Sequence, residues 1–325
     1  MDYLVTGGLG FIGHNLIRAL LDAGQTVRVL DNRETHSVDP EYLSRLGAEV
    51  ITGDIRDPRI CLKAATGVKV IIHLAAKTGV ATSIQDPVSN CEVNTLGTLH
   101  LLDAARRAGA KRFVFASSNA VFGDHAPPFH EGLIPRPRTP YGVHKLAAEG
   151  LCRSYYENFG LSTVALRFAN VYGPGSQLKE SVVARFMKAI LARCPIEVFG
   201  DGRQSRDFIC VDDIVQAIRR ATEFSPGGEL FTIGTETETS VHDLVEKLRC
   251  MVSSDGWAGP FPEVQYRPDR EGDVRRSFSS IDRARRLLGF EPVVELEAGL
   301  RETWQWFREQ SARDIPASIR WRQSG

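Results

Sequence analysis

The sequence predicts an α/β fold in which a parallel sheet carries helices on both faces and a smaller C-terminal α/β lobe follows it. Apolar strand patterns alternate with helical patterns through the first half of the chain, and this alternation specifies a doubly wound sheet. The strand Tyr3 to Thr6 leads through a glycine-rich turn into an amphipathic helix. The run Lys69 to Leu74 is almost continuously apolar, as expected of a strand covered on both faces.

The glycine-rich turn is typical of dinucleotide binding. It precedes a helix that runs from about Phe11 through Leu21. The first N–H groups of a helix and the positive end of its dipole attract a pyrophosphate. An ordinary strand-to-helix turn is the alternative interpretation. Two glycine registers fit: Gly8, Gly10 and Gly13, or the wider Gly7, Gly10 and Gly13.

An acidic residue stands where the ribose of a dinucleotide would lie. The second strand ends in Asp31, about twenty residues after the glycines, and an acid at this spacing binds a ribose hydroxyl. Because a carboxylate there repels a 2′-phosphate, we predict NAD rather than NADP as the cofactor. Asp54 follows the third strand and either binds the adenine amino group or caps the next helix.

The charge and cysteine content exclude several classes of protein. Forty basic and forty acidic residues cancel, which leaves no net field to attract nucleic acid or an anionic membrane. The six cysteines lie far apart, without metal-ligand or disulfide spacing, so we expect no metal site. The sequence has no apolar run of the ~20 residues that span a bilayer. Met1 leads directly into a strand without a signal peptide, and we expect a cytoplasmic protein.

The length of the chain predicts one large domain or two fused domains. At 325 residues it exceeds the size at which single hydrophobic cores usually stop growing. We predict a Rossmann-type NAD-binding domain over residues 1–171, to which residues 205–234 return. The lobe that binds the substrate then covers residues 172–325, and its last segment, 311–325, has no pattern that we can interpret.

The candidate catalytic residues follow the fifth strand. Ser118 stands at its end, and a long helix that starts at Thr139 or Pro140 carries Tyr141 and Lys145. Side chains four residues apart share a helix face, although a solvated face would show the same pair. We expect the Lys145 ammonium and a nicotinamide cation together to lower the pKa of Tyr141 by roughly 3 units from about 10. Such a tyrosine acts as a base near neutral pH.

From Tyr3 to about Pro292 these motifs resemble the extended short-chain dehydrogenase/reductases that act on nucleotide sugars, and within them the UDP-hexose 4-epimerases. Ser118 matches the catalytic serine or threonine because it stands five residues before Gly123, and Tyr141 and Lys145 match the catalytic pair. Phe122 departs from the commoner tyrosine. The resemblance implies cofactor contacts at Gly7, Gly10, Phe11, Ile12, Gly13, Asp31, Asn32, Asp54, Ile55, Leu74, Ala75, Ala76, Asn94, Tyr141, Lys145 and Phe168.

The resemblance also implies a set of substrate contacts. Arg206 and Arg270 would bind the diphosphate, and Asp273 a ribose hydroxyl. Ser277 stands where epimerases restricted to glucose carry a large tyrosine, so we predict that UDP-GlcNAc and UDP-GalNAc fit. The alternative interpretation of Asn170 is a turn residue without a binding role. The alternative for Arg270 and Asp273 is an ion pair exposed to solvent. The implied contacts are Val80, Ser118, Asn170, Val182, Phe199, Arg206, Arg270, Asp273 and Ser277.

The implied activity is NAD-dependent epimerisation at C4 of a UDP-hexose through a 4-keto intermediate. The hexoses considered are GlcNAc and GalNAc, or glucose and galactose, and the sequence leaves the sugar and the nucleotide base open. We expect neither nucleic acid nor membrane as a partner. By resemblance alone, a homodimer forms through the helix that carries Tyr141 and the long helix before it.

Three alternatives differ in particular residues. Nucleotide-sugar 4,6-dehydratases carry an Asp-Glu pair after the catalytic threonine or serine, where this chain has Asn119 and Ala120. Uronic-acid epimerases and decarboxylases usually carry an arginine after the Tyr-Gly-Pro turn, where this chain has Gly175, although another arginine could serve. A non-catalytic nucleotide-sugar-binding protein would have no need of the tyrosine base or its lysine.

Overall fold

The computed structural model describes residues 1–257, 259–269 and 274–312. Its strands are β1 (Tyr3–Thr6), β2 (Val27–Asp31), β3 (Glu49–Thr52), β4 (Val70–His73), β5 (Arg112–Ser118), β6 (Ser162–Phe168), β7 (Asn170–Tyr172), β8 (Ile196–Phe199), β9 (Ser205–Arg206), β10 (Phe208–Cys210), β11 (Glu229–Ile233), β12 (Thr239–Ser240), β13 (Val264–Arg267) and β14 (Arg276–Ser277). Its α-helices are α1 (Phe11–Asp22), α2 (Pro40–Arg45), α3 (Pro58–Ala65), α4 (Val80–Gln85), α5 (Pro87–Cys91), α6 (Gly97–Ala108), α7 (Pro140–Phe159), α8 (Val182–Ala192), α9 (Val211–Glu223), α10 (Val241–Ser254), α11 (Asp282–Leu288) and α12 (Leu296–Ala312).

Seven parallel strands form the main sheet, in the order β11-β6-β5-β4-β1-β2-β3. The helices between these strands pack on both faces, and the predicted fold class is confirmed. Strands β2 and β3 follow on one side of β1, and β4 to β6 follow on its other side. Doubly wound sheets bind their ligands at such a switch point, beyond the carboxyl ends of the strands. β11 adds to the sheet beside β6, while the division at residues 171 and 172 stays a prediction.

Two apolar layers sandwich the main sheet and a third core fills the lobe. One layer includes the fully buried Leu16 and Phe231, and the other includes Leu102 and Phe113. The lobe core is built around Trp304, whose side chain is fully buried. Among the described residues, none of the helices is long and apolar enough to cross a membrane.

The helix that carries the candidate catalytic pair has clear ends. Thr139 precedes α7 and its hydroxyl accepts a hydrogen bond from the N–H of Gly142 at 3.3 Å, with Pro140 at the first helical position. Pro at this position costs no hydrogen bond, because the first N–H groups of a helix have no partner within it. Gly160 ends the helix in the left-handed conformation (φ 68°). These signals hold Tyr141 in the first turn, next to the end of β5.

Candidate active site

The glycine turn after β1 forms a tight backbone cradle. Gly7 has a φ of +68°, and a Cβ there would lie 2.7 Å from the backbone nitrogen of Ala75. A Cβ on Gly13 would lie 2.3 Å from the carbonyl oxygen of Gly7. A Cβ on Gly8 would instead strike side chains of the apolar layer. The geometry therefore favours the wider register of Gly7, Gly10 and Gly13 for a close backbone approach.

The first turn of α1 begins directly after this cradle, at Phe11. The first hydrogen bond within the helix runs from His14 to the carbonyl of Gly10 at 3.1 Å. The N–H groups of Phe11, Ile12 and Gly13 come before it and have no acceptor inside the helix. Such an N-terminus fits the pyrophosphate of a dinucleotide.

Asp31 lies at the carboxyl end of β2, beside the cradle. Its carboxylate accepts hydrogen bonds from the N–H groups of Leu9 at 3.1 Å and Arg33 at 2.8 Å. The side chain is only 7% exposed, and burial raises its pKa. The carboxylate retains lone pairs, so it can also accept a ribose hydroxyl.

Asp54 does not cap the following helix. Its carboxylate binds the Arg56 guanidinium and Asn32 Nδ2, the latter at 3.0 Å. The hydrogen bond with Arg56 lowers the pKa of Asp54 to about 2. Asp57 is the residue that caps α3, by accepting from the N–H of Arg59 at 2.9 Å. The helix-cap alternative for Asp54 is therefore wrong, and its contact with adenine stays a prediction.

A π-helical turn, Glu92–Leu96, carries Asn94 to the same edge of the sheet. Asn94 Oδ1 accepts from the N–H of Lys77 at 2.9 Å, and its Nδ2 donates to the Lys77 carbonyl at 3.0 Å. These bonds fix the loop after β4 that contains Leu74, Ala75 and Ala76. π turns of this kind occur frequently at functional sites.

Ser118, Tyr141 and Lys145 come together at the carboxyl end of β5. Lys145 Nζ donates to the carbonyl of Ala116 at 2.8 Å and lies 5.8 Å from the centre of the Tyr141 ring. A side-chain hydrogen bond joins Tyr141 to Ser118, whose hydroxyl also accepts from the N–H of Ala120 at 3.2 Å. Phe168 pairs in register with Ser118 on the neighbouring strand.

The protein's own groups raise the pKa of Tyr141, whereas we expected Lys145 and a nicotinamide cation together to lower it. Burial raises the pKa of Tyr141 to about 12, and the bond to Ser118 offsets only part of that rise. Burial also lowers the pKa of Lys145 to about 7, so this lysine is a weaker positive charge than the sequence suggested. A phenolate near neutral pH consequently requires further positive charge beside the ring.

His73, at the end of β4, is not available as a base. Its Nδ1 lies 2.7 Å from Thr6 Oγ1 and its Nε2 lies 3.0 Å from Thr98 Oγ1. Burial lowers its pKa to about 3, so the imidazole is neutral and its two nitrogens are used inside the core. Among the described residues, no group of three His, Cys, Asp or Glu side chains could hold a metal ion.

A cavity at the lobe is lined by four of the predicted substrate residues: Asn170, Val182, Phe199 and Arg206. Arg206 lies on β9, which pairs with β14, and its Cα partner there is Ser277. Ser277 is 7% exposed. Val80 lies apart from this cavity, at the start of α4, and is exposed. Arg270 and Asp273 lie outside the described residues.

The cleft contains residues that the sequence reasoning missed. Ser181 and Arg185 line the same cavity as Phe199, and Arg185 lies 5.0 Å from the Phe199 ring centre. Their positions before and within α8 were a weak signal for a binding surface. Lys179 reaches across to Thr78, with Nζ 3.2 Å from Oγ1. These two residues are 101 positions apart in sequence, so no local sequence pattern could predict their contact.

Comparison with known proteins decides the family. Residues 3–234 match the family model of the NAD dependent epimerase/dehydratase family. The chain belongs to this family. The membership confirms the predicted resemblance and NAD as the cofactor.

Relatives of the epimerase/dehydratase chain include several nucleotide-sugar enzymes. A UDP-glucose 4-epimerase of Mycolicibacterium smegmatis is 36% identical over 96% of this chain and 100% of its own length. The structure of a UDP-glucose 4-epimerase from Thermotoga maritima with UDP-glucose has a TM-score of 0.88 at 35% identity, covering 96% and 100%. MoeE5 in complex with UDP-glucuronic acid and NAD has a TM-score of 0.86 at 34% identity, covering 95% and 100%.

The family name does not by itself select a reaction. Relatives at 32% identity include a UDP-N-acetyl-alpha-D-glucosaminuronate decarboxylase and a dTDP-glucose 4,6-dehydratase. The chain is therefore an NAD-dependent enzyme that modifies sugars, and its own residues have to distinguish the reactions.

Proposed function

We propose that the protein epimerises a UDP-hexose at C4 through a 4-keto intermediate. The observation that carries this proposal is the grouping of Ser118, Tyr141 and Lys145 at one strand end, with no carboxylate following Ser118. Tyr141 takes the proton of the 4-hydroxyl, and Ser118 hydrogen-bonds the same oxygen. Lys145, held by the Ala116 carbonyl, places positive charge behind the ring.

The cradle of Gly7, Gly10 and Gly13 fits the cofactor, with Asp31 on the ribose and Asn94 fixing the adjoining loop. When bound, oxidised NAD supplies a hydride acceptor and the positive charge that the tyrosine requires. Tyr141 returns its proton to the oxygen when the hydride goes back to C4 on the other face of the sugar. The sugar thus recovers the proton and the hydride that it lost, and neither the sugar nor the cofactor is oxidised or reduced overall.

Inversion requires the hexose to turn over while the rest of the ligand stays in place. The cavity of Asn170, Val182, Phe199 and Arg206 supports anchoring at the uridine and diphosphate end. Arg206 offers a permanently charged fork for a diphosphate, and Phe199 a face for the base. Arg270 and Asp273 are assigned to the same end as part of this proposal. Firm binding far from C4 leaves the reacting ring free to reorient.

Among the hexoses, we propose that the N-acetylated ones fit. Ser277 is small and lies beside Arg206 in the paired strands, so no bulky side chain at this position restricts the sugar pocket. UDP-GlcNAc and UDP-GalNAc are therefore substrates alongside UDP-glucose and UDP-galactose.

A 4,6-dehydratase is disfavoured by the residues after Ser118. That reaction needs an acid and a base to remove water across C5 and C6. Asn119 instead donates from Nδ2 to Ser279 Oγ at 2.8 Å, in a buried structural contact, and Ala120 has no polar side chain. Neither residue can exchange a proton with the sugar.

The purified protein with NAD, incubated with a panel of UDP-, dTDP-, CDP- and GDP-sugars, tests the proposal. NMR of the products resolves each C4 epimer by its ring coupling constants. We expect the UDP-hexoses to give their 4-epimers. A 6-deoxy-4-keto product, or no reaction with any sugar, would reject the assignment.

We further propose a homodimer that forms through α7 and the continuous helical segment before it, which consists of α5, the π turn and α6. Val88, Leu96 and Val143 lie on α5, the π turn and α7, and are 68%, 46% and 47% exposed. These elements pack beside one another, and a strip of exposed apolar side chains favours burial against a partner. Sedimentation at micromolar concentration should give twice the mass of the 35.9 kDa chain, and Val143→Glu should shift it toward the monomer.

A further inference from the structure

His73 is the last residue of β4, and its imidazole is buried between two threonine hydroxyls. Thr6, the last residue of β1, pairs with it across the two parallel strands. His73 Nδ1 lies 2.7 Å from Thr6 Oγ1, and Nε2 lies 3.0 Å from Oγ1 of Thr98 on α6. The exposed fractions of Thr6, His73 and Thr98 are 0%, 1% and 0%. We call these three side chains the His73 network.

The partners of the ring require a single tautomer. Thr98 Oγ1 lies 2.7 Å from the carbonyl oxygen of Asn94. A carbonyl can only accept, so the Thr98 hydroxyl gives its one hydrogen to Asn94. His73 Nε2 therefore carries a hydrogen and donates it to Thr98 Oγ1. Burial lowers the pKa of His73 to about 3, so the ring has no second N–H and its Nδ1 accepts from the Thr6 hydroxyl.

The other end of the His73 network is the backbone of Ala75. The Ala75 N–H donates to Thr6 Oγ1 at 3.3 Å, and the Thr6 hydroxyl gives its own hydrogen to His73. Every hydrogen in the network consequently points from Ala75 toward Asn94. The opposite tautomer would take the Thr98 hydrogen away from the Asn94 carbonyl and leave the Thr6 hydrogen without His73 as its acceptor.

Both ends of the network lie on backbone that borders the cofactor cleft. Ala75 lies against the glycine cradle, because a Cβ on Gly7 would lie 2.7 Å from its nitrogen. Asn94 belongs to the π turn, and its side chain binds the N–H and the carbonyl of Lys77 at 2.9 and 3.0 Å. The network therefore connects the cradle, the loop after β4 and the π turn.

Packing around the imidazole keeps it in this orientation. The His73 ring centre lies 5.8 Å from that of Phe113 and 5.7 Å from that of Phe115 on the neighbouring strand β5. Both phenylalanines are buried. A hydrogen bond is stronger in such an interior than in water, and a polar group left unpaired there is costly. The ring cannot turn without losing bonds at both nitrogens.

We infer that Thr6, His73 and Thr98 are positioning residues for NAD, and that their one-way hydrogen bonds set the loop after β4 and the π turn in the arrangement that receives the cofactor. The side chains are buried, so they act through the backbone of Ala75 and Asn94. The inference goes beyond the proposed epimerisation, because it concerns the cofactor site and holds for any sugar substrate.

The expected effect of breaking the network is weaker binding of NAD. A π turn is a rare local arrangement, and the Thr98 hydroxyl adds a bond to the carbonyl of Asn94 within it. Without this bond, fewer molecules have Asn94 and the loop at Lys77 in place. The apparent affinity for a ligand falls in proportion to the fraction of molecules that are competent to bind it.

Thr98→Val removes the hydroxyl at a similar side-chain volume. It should raise the Kd for NAD about 5- to 30-fold, as expected from the loss of one or two buried hydrogen bonds. Thr98→Ser keeps the hydroxyl and should stay within about threefold of the wild type. Thr303→Val is the control, because Thr303 on α12 of the lobe is also fully buried and donates to the Gly299 carbonyl four residues earlier at 2.6 Å. Fluorescence titration with NAD measures all three variants.

Urea denaturation separates positioning from stability. Thr98→Val and Thr303→Val should lower the free energy of unfolding by similar amounts, while only Thr98→Val loses affinity for NAD. Wild-type affinity in Thr98→Val would overturn the inference. A loss in Thr98→Ser or in Thr303→Val as large as that in Thr98→Val would also overturn it.

NMR of the wild type tests the tautomer directly. In the NAD-loaded protein with 15N-labelled histidine, we expect the His73 ring to carry its hydrogen on Nε2 and none on Nδ1 at pH 7. The His73 signal is assigned by its absence from His73→Gln. A hydrogen on Nδ1 would overturn the inference. Both the tautomer and the Kd for NAD are measured without a sugar, so they stand or fall independently of the proposed epimerisation.

Discussion

Lys145 donates a hydrogen bond from Nζ to the carbonyl oxygen of Ala116 at 2.8 Å. Ala116 precedes Ser118 by two residues on β5, so this bond ties α7 to the strand that carries Ser118. The bond holds the ammonium 5.8 Å from the centre of the Tyr141 ring, and among the residues that the structure describes no carboxylate forms an ion pair with it. Its positive charge is consequently costly in the folded protein.

This cost predicts a pH dependence of stability. The pKa of Lys145 falls from 10.5 to about 7 on folding, so between these values the unfolded chain binds more protons and stability rises with pH. In Lys145→Met the contribution is absent. The free energy of unfolding of the wild type, relative to Lys145→Met, should therefore increase from pH 7 to pH 10, as measured by urea denaturation. An identical difference at both pH values would show that Lys145 is not buried as described.

Glu149 lies four residues after Lys145 on α7 and forms a buried ion pair with Arg167. Arg167 Nε and a terminal nitrogen donate to the two Glu149 oxygens at 2.9 and 2.7 Å, and the side chains are 3% and 8% exposed. Glu149→Ala leaves a buried guanidinium unpaired and should lower the free energy of unfolding by about 3–5 kcal/mol.

The same helix carries a matched control for this ion pair. Glu157 pairs with Arg153 in an exposed position, so Glu157→Ala should cost less than about 1 kcal/mol. Urea denaturation of both variants measures the contrast. An equal loss of unfolding free energy in Glu149→Ala and Glu157→Ala would mean that burial does not determine how much the Glu149 ion pair contributes to stability.

Gly10 provides a test of the cofactor cradle. A Cβ at this position meets only the Gly7 carbonyl oxygen, at 3.2 Å, so Gly10→Ala should fold. The added methyl group would crowd a pyrophosphate at the start of α1, and the Kd for NAD should rise at least about tenfold, or ~1.4 kcal/mol. Fluorescence titration with NAD checks this. Gly150→Ala, in open space on α7, should keep wild-type affinity, and equal effects of the two changes would contradict the assignment.

Ser277 provides a test of sugar selection. Ser277→Tyr should abolish turnover of UDP-GlcNAc and UDP-GalNAc while UDP-glucose is still converted, because the larger side chain fills space needed by the acetamido group. Ser277→Ala, which stays small, should convert all of them. Coupled assays of each epimer pair measure the selectivity. Unchanged turnover of the N-acetylated sugars in Ser277→Tyr would remove Ser277 from the sugar pocket.

The sequence predicted the sheet and the glycine cradle because both are local. Strand periodicity, the spacing of Gly7, Gly10 and Gly13, and the Tyr141 and Lys145 pair on one helix face are all read within short segments. The start of α10 is local in the same sense: Ser240 and Asp243 have the spacing of a capping box, and the Ser240 hydroxyl accepts from the Asp243 N–H at 3.0 Å.

Properties set by contacts distant in sequence were not predictable. The position of Asp213 at the start of a helical pattern favours a helix cap, but its side chain is buried and accepts from the N–H groups of Val293 at 2.9 Å and Val294 at 3.2 Å. The direction of the Tyr141 pKa depends on burial by several elements, and a sequence spacing does not report burial. The Lys179 contact with Thr78 joins two loops whose meeting depends on the whole fold.

The proposed epimerisation requires that Tyr141 start a reversible oxidation at C4 and that the hydride return to the same carbon. The direct test uses UDP-hexoses that carry deuterium at C4, with product NMR, for the NAD-loaded wild type and Tyr141→Phe. We expect a 4-epimer that keeps its deuterium at C4. We also expect Tyr141→Phe to bind UDP-sugar but to turn it over at least about 10²-fold more slowly. Deuterium found at C6, or near-normal turnover by Tyr141→Phe, would contradict it.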